Sequence, residues 1–346
     1  VRYIAALALA ASLSGQAPRF DVQSRLVQVP VTVTDAKGRS VEDLGAADFA
    51  VLDEGRPQTA AVDSIATGVA PIALVVAVQS SGISAAALAK VRRIGSMIQP
   101  LVTGEFGCAA LVTFAERVEW RQDCTNDPGA ISRAFRAIEP GEAKRARLLD
   151  AAYEGVERLR RRPNEARRVL LLISESRDRG SETDLQTVVI AAHAAGVTVY
   201  AAPYSAFKTA FTAKPGDAGE PPQPAGPEPR THQPAAPASH ANIPVPPVKD
   251  RVDILGGIGE WVRLRMAHTT QALAGATGGA TFPFARQRGI EDAIEKLGAE
   301  LHTQYVLSFT PREPAPGYHR LEVRVARRGE FRIRARPGYW AAREPR

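Results

Sequence analysis

The chain has 346 residues, 45% of them hydrophobic, enough to bury a sizeable core and to exclude a disordered or fibrous protein. It carries 44 Lys and Arg against 37 Asp and Glu, and the resulting net charge of +7 is too small for this length to mark a nucleic-acid binder. Much of the surplus falls late in the chain, at Arg320, Arg324, Arg327, Arg328, Arg332, Arg334 and Arg336, where alternating strand positions make it one solvated face.

The chain begins VRYIAALALAASLSGQA: a basic Arg2, an apolar run from Ile4 to Leu13, then small residues ending at Ala17. That is the shape of a secretory signal over residues 1–17, because the run is too short to span a bilayer and its small-residue end suits a peptidase. The expectation is an exported protein, periplasmic or secreted, with no transmembrane anchor in the mature chain. Residues 25–66 alternate apolar and polar positions between turn signals at Lys37-Gly38, Leu44-Gly45 and Glu54-Gly55, as short antiparallel strands do. PIALVVAV is then a continuous apolar run, as a parallel strand covered on both faces requires. Helical and strand patterns alternate after it: AAALAKVRRIGSMIQPL, CAALVTF with VEWRQ, ISRAFRAI, LLDAAYEGVERLRRR, RRVLLLIS, DLQTVVIAAHAAG and VTVYAAP. This predicts a doubly wound α/β domain over residues 70–303, with a mostly parallel sheet.

Two cysteines lie within it. If Phe114 pairs with Val118 across a turn at Ala115 to Arg117, Cys108 falls directly opposite Cys124 on one face. A structural disulfide and a pair of free core thiols both fit. Residues 214–249 are dominated by Pro with almost no large apolar side chain, a composition that forms no packed core and reads as an extended insert. Helices are predicted from Trp261 to Ala274 and from Gly289 to His302. Three strands follow within residues 304–340, in TQYVLSFTP, YHRLEVRVARR and EFRIRARPGYW. Neither terminal set of strands is stable alone, so the two are expected to share one small antiparallel β module.

The stretch LVVAVQSSGIS carries the site question, since ligands of open α/β sheets sit outside the carboxyl ends of the strands where strand order reverses. QSSGIS is one such end and ISESRDRGS another. A hard divalent cation between them would draw on Ser80, Ser81, Ser84, Glu175, Asp178 and Asp150.

The order of elements resembles the von Willebrand factor type A domain, which is Rossmann-like. VTVTDAKGRSVEDLGAADFAVLDEGRPQ, TQYVLSFTP and RIRARPGYW are similar to the bacterial secreted proteins known as von Willebrand factor A-related, first grouped from acidobacteria. The resemblance covers nearly the whole mature chain apart from the Pro-rich insert. It implies a metal-ion-dependent adhesion site: Asp-x-Ser-x-Ser after the first strand, a loop Thr, and an Asp ending the fourth strand. Laid over this chain, these positions fall on Gln79, Ser81, Ile83, Ala146 and Glu175. Only Ser81 matches outright, and Glu175 keeps its charge. Moving the register to recruit Ser80 or Ser84 restores one ligand, not three. Mg²⁺ tolerates an incomplete octahedron poorly unless water fills it, so the expectation is a degenerate site with no cofactor; Mg²⁺ is the ion it would take if any. The chain is then a non-enzymatic, adhesion-type binding protein. Ser80, Arg145, Arg177 and Arg179 would meet an unidentified protein partner at the rim, a guanidinium replacing the metal opposite a partner carboxylate. The alternatives are a structural component of a cell-envelope assembly binding through its β module, and a metal-dependent adhesion protein with an atypical Mg²⁺ site.

Other chemistry finds little support. The 6 histidines show no metal-ligand spacing. SSGIS is not a Gly-x-Ser-x-Gly nucleophile elbow, and LGGIGEW lacks the Lys-Ser/Thr of a P-loop. Glu175 and Asp178 after a strand are ordinary company for a helix N-terminus.

Overall fold

The structure is a computed structural model and describes residues 26–63, 70–83, 85–141, 145–163, 165–204, 268–284, 287–312 and 314–341. The signal-like segment 1–17, the Pro-rich insert, Ser84 and the start of the helix expected at Trp261 lie outside those residues. Four strands come first: β1 (Val27–Asp35), β2 (Phe49–Asp53), β3 (Arg56–Gln58) and β4 (Ala61–Asp63). In β1 the side chains of Val27, Val29, Val31 and Val33 are buried at a period of two, the repeat of a half-buried strand. The β2–β3 hairpin turns on Glu54 and Gly55, with φ of 48° and 77°, the left-handed pair that a two-residue hairpin needs. Glu54 tolerates that backbone while its N–H bonds Arg320 O at 3.0 Å and its Oε1 accepts from Arg320 N at 2.6 Å.

The α/β domain then runs β5 (Ile72–Gln79), α1 (Ala85–Arg93), β6 (Cys108–Phe114), β7 (Val118–Thr125), α2 (Pro128–Arg136), α3 (Leu148–Arg160), β8 (Arg167–Ser174), α4 (Leu185–Ala195), β9 (Val197–Pro203), α5 (Thr269–Thr277) and α6 (Gln287–Thr303). Its sheet has the order β7-β6-β5-β8-β9, parallel except for the edge strand β7. Every residue of β5 is buried because each face is covered. Ile72, Leu74, Val76 and Val78 pack with α1, α2 and α6, while Ala73, Val75 and Ala77 pack with α3, α4 and Leu273 of α5. This is the doubly wound arrangement expected, and strand order reverses between β5 and β8.

The chain closes with β10 (Tyr305–Phe309), β11 (Gly317–Val325), β12 (Phe331–Ala335) and β13 (Gly338–Ala341). Sheets β12-β1-β10-β4 and β13-β11-β2-β3 enclose a core of Val29, Val31, Val51, Leu307, Leu321 and Tyr339. Strands from both ends of the described chain thus share each sheet, alternating in the first and paired side by side in the second.

Three local expectations need correction. EFRIRARPGYW forms two strands on different sheets rather than one; the break falls at Arg336-Pro337, where proline has no N–H to continue a ladder. The helix expected from Ala85 ends at Arg93 and continues as a tight 3₁₀ turn over Ile94–Ser96 and a wide π turn over Gln99–Thr103 that contains Pro100. Gly95 lies inside the 3₁₀ turn, where a Cβ would fall 2.7 Å from Cβ of Phe135 in α2. Phe114 does pair with Val118, but two register shifts in the β6–β7 ladder move Ala109 opposite Thr125, so Cys108 lies diagonal to Cys124 rather than opposite it. The two are joined by a disulfide, with Cα atoms 5.3 Å apart.

The domain and the sandwich meet through buried polar groups. Arg167 donates to Leu301 O and, at 2.6 Å, to Gln304 Oε1; Gln304 Nε2 donates to Thr32 Oγ1 at 3.2 Å. Tyr200 Oη donates to Glu300 Oε1 at 2.7 Å, and Glu300 also pairs with Arg334 of β12.

Candidate functional site

The switch point between β5 and β8 is where the two strand ends carry Gln79 and Ser174, and three loops converge there. The first is Ser80–Ile83, the second leads through Arg145 and Ala146 into α3, and the third is Glu175–Asp184 after β8. Gln79 is 1% exposed and spans two of them: its Nε2 donates to Ser81 O at 2.8 Å and its Oε1 accepts from Glu175 N at 3.0 Å. A carboxylate could make the second bond but not the first; the amide has both a donor nitrogen and an acceptor oxygen and uses each. Ser81 Oγ donates to Arg145 O at 2.7 Å, tying the first loop to the second. Ala146 and Arg179 exchange two backbone hydrogen bonds of 3.0 Å, tying the second to the third.

The acidic residues are committed in the same way. No side chain of its own segment caps α3. Asp178 and Ser181 of the third loop do so instead: Leu149 N donates to Asp178 Oδ1 at 3.1 Å and to Ser181 Oγ at 3.0 Å, and Asp150 N to Ser181 Oγ at 3.1 Å. Asp150 answers by accepting from Glu182 N at 3.1 Å and Thr183 N at 2.8 Å. Burial acts to raise the Asp150 carboxyl, but the hydrogen bonds from Thr183 and Glu182 outweigh it and hold the pKa below its usual value. Glu175 Oε2 lies 2.9 Å from a terminal nitrogen of Arg179, off the line a hydrogen bond requires, and is one of four buried polar atoms here without a hydrogen-bond partner among the described residues. The others are Arg147 Nε, Tyr204 Oη and Thr270 Oγ1. Burial, then the Glu175 charge, raises the Tyr204 phenol far above its usual pKa.

The residues present do not fit Mg²⁺. Ile83 and Ala146 are 8% and 1% exposed and belong to the two apolar cores, offering no oxygen. Gln79 and Ser81 could each still lend a lone pair, but both side chains are neutral, so a dication would have to find its charge compensation elsewhere. Among the described residues no three His, Cys, Asp or Glu side chains come together as metal ligands would.

Of the rim residues, Arg145, Arg177 and Arg179 are exposed. Arg145 lies across Gly180, whose φ is 102°; a Cβ there would sit 3.5 Å from Arg145 Cδ. Ser80 is turned inward at 8% exposure, its N–H bonded to Phe114 O at 3.0 Å, so it is not a rim contact. The polar residues of QSSGIS are visible in the sequence, but their pairing is not. Asp178, Ser181 and Asp150 as mutual caps, and Tyr204 and Thr270 as buried unpaired hydroxyls, have no sequence signal beyond their residue types.

Sheet order and layering define the class: a doubly wound, mostly parallel α/β domain docked on an antiparallel sandwich. No protein-family model matches the chain, and no curated protein does. Among solved structures it is similar to the conserved hypothetical protein BatB of Bacteroides thetaiotaomicron, at 12% identity over 66% of this chain and 98% of that one, with a TM-score of 0.43. An aerotolerance-related membrane protein of Bacteroides fragilis is similar at 14% identity over 66% and 99%, with a TM-score of 0.40. The vWF domain of the pilus tip protein Mfa5 of Porphyromonas gingivalis is similar at 18% identity over 32% and 39%, with a TM-score of 0.28. No helix among the described residues is long and apolar enough to cross a membrane.

Proposed function

We propose that this chain is an exported, non-enzymatic binding protein of the von Willebrand factor A-related type, whose adhesion site has lost its metal and kept its architecture. One observation carries the reading. Every loop that would lend oxygen to an ion is instead stitched to its neighbour, through Gln79, Ser81 and the Ala146–Arg179 bridge. Arg145, Arg177 and Arg179 are exposed at the rim, and a guanidinium offers a partner carboxylate two parallel hydrogen bonds where a metal would offer one coordination position. The partner is therefore a protein presenting carboxylates.

Calorimetric titration of the purified chain with Mg²⁺, Mn²⁺ and Ca²⁺ tests the metal half of this reading: no saturable heat is expected. Micromolar binding lost in both Ser81→Ala and Glu175→Ala would restore a metal-dependent site. Recovery of exported partners on the wild-type chain, against an Arg145→Glu/Arg177→Glu variant, tests the rim. Unchanged recovery moves binding to the β sandwich and to the envelope-component reading.

A further inference from the structure

Away from the rim, the seam where α4 and α5 meet the sandwich buries a positive charge that the described residues leave unanswered. Arg336 sits in the break between β12 and β13 and is 5% exposed. It is pressed against the end of α5, where a Cβ at Gly278 would fall 2.6 Å from its backbone nitrogen. Its Nε is buried with no hydrogen-bond partner, and among the described residues no carboxylate forms an ion pair with the guanidinium. The acidic groups whose charge reaches it are the phenols of Tyr318 and Tyr339, neutral at ordinary pH. Burial lowers its pKa to about 10, which leaves it a cation at neutral pH. A charge held this way is among the most costly groups a fold can enclose, and it is normally paired.

His193 of α4 borders the same seam at 5% exposure, its ring stacked on Tyr318 with centroids 6.2 Å apart. Its Nε2 lies 2.8 Å from Ala276 O, an acceptor, so Nε2 carries the proton. Burial, followed by the Arg336 charge, lowers the His193 pKa to about 4, so the ring is neutral at pH 7 and neither adds to nor offsets the Arg336 charge. Nε of Arg336 is sealed off, and the residual exposure of the residue leaves its outer nitrogens as the accessible donors. Tyr318, half-buried against the same charge, offers a hydroxyl.

We propose that Arg336 and Tyr318 form a binding site for one small monovalent anion, chloride or a small carboxylate, at the seam between the α/β domain and the sandwich. One negative charge balances the buried cation, and at 5% exposure Arg336 is within reach of a small ligand only. An anion bound to the folded chain alone stabilises it by mass action.

The test is thermal unfolding of the whole chain at constant ionic strength, with gluconate replaced stepwise by chloride or by formate. A saturating rise in Tm is expected with chloride or formate and not with gluconate, and it should vanish in Arg336→Met. Should that variant fail to fold, Tyr318→Phe keeps the ring and removes the hydroxyl, and a several-fold weaker response is expected. A response to formate alone retains the site and makes its ligand a carboxylate. Superimposable curves in all three salts, or an undiminished response in Arg336→Met or Tyr318→Phe, would overturn the proposal. So would bromide-soaked crystals whose anomalous density shows no ion beside Arg336.

Discussion

Gln79 stands where the resembled family carries a carboxylate, and its amide nitrogen decides what the turn holds. Nε2 turns a position that could accept a cation into a donor facing Ser81 O, while Oε1 secures the loop after β8. Removing the side chain strands one buried donor and one buried acceptor. Gln79→Ala should therefore cost about 2 kcal/mol from the lost hydrogen bonds, with a further loss from the cavity. Urea unfolding measures this; a change under about 0.5 kcal/mol, the range of an ordinary surface substitution, would mean the bridge does not hold the loops. The presence of an amide in QSSGIS is legible in the sequence, but its two partners are not, because Glu175 is brought to it only by the parallel pairing of β5 with β8.

At the scale of elements, periodicity located most strands and helices, and errors arose where an approach between elements interrupts a local pattern. At Gly95 the approach of Phe135 leaves no room for a side chain, and Pro337 divides a strand between two sheets. The ladder of β6 and β7 shows the same effect, with bulges displacing a register that simple counting places opposite. The Cys108–Cys124 disulfide pins that edge strand across a sequence separation of 16, for which loop-closure entropy gives about 3 kcal/mol. Cys108→Ser/Cys124→Ser should lower unfolding free energy by that order and raise amide exchange in β7 while β5 stays protected. Equal loss of protection across the sheet would show that the bond supports the whole domain rather than its edge.

For the whole molecule, the contact between domain and sandwich makes stability depend on pH. His193, buried between α4 and Tyr318, has its pKa lowered from 6.5 to about 4, chiefly by burial. The unfolded chain therefore takes up this proton first as pH falls. Its contribution is complete above about pH 6.5 and is lost progressively toward pH 4, on the order of 3 kcal/mol in all at 1.36 kcal/mol per pKa unit. Unfolding free energies of wild type and His193→Gln across that range, at fixed chloride, should differ in slope; parallel profiles would place the acid sensitivity elsewhere. Composition and periodicity sufficed for the α/β class and the antiparallel strands at both ends, since burying apolar side chains at a period of 2 or 3.6 residues depends on local order alone. Which polar groups satisfy one another at the rim, and that Arg336 is enclosed without a carboxylate partner among the described residues, depend on atoms far apart in the chain. Hydrogen bonds and desolvation act over a few ångströms of space, and folding alone sets those distances.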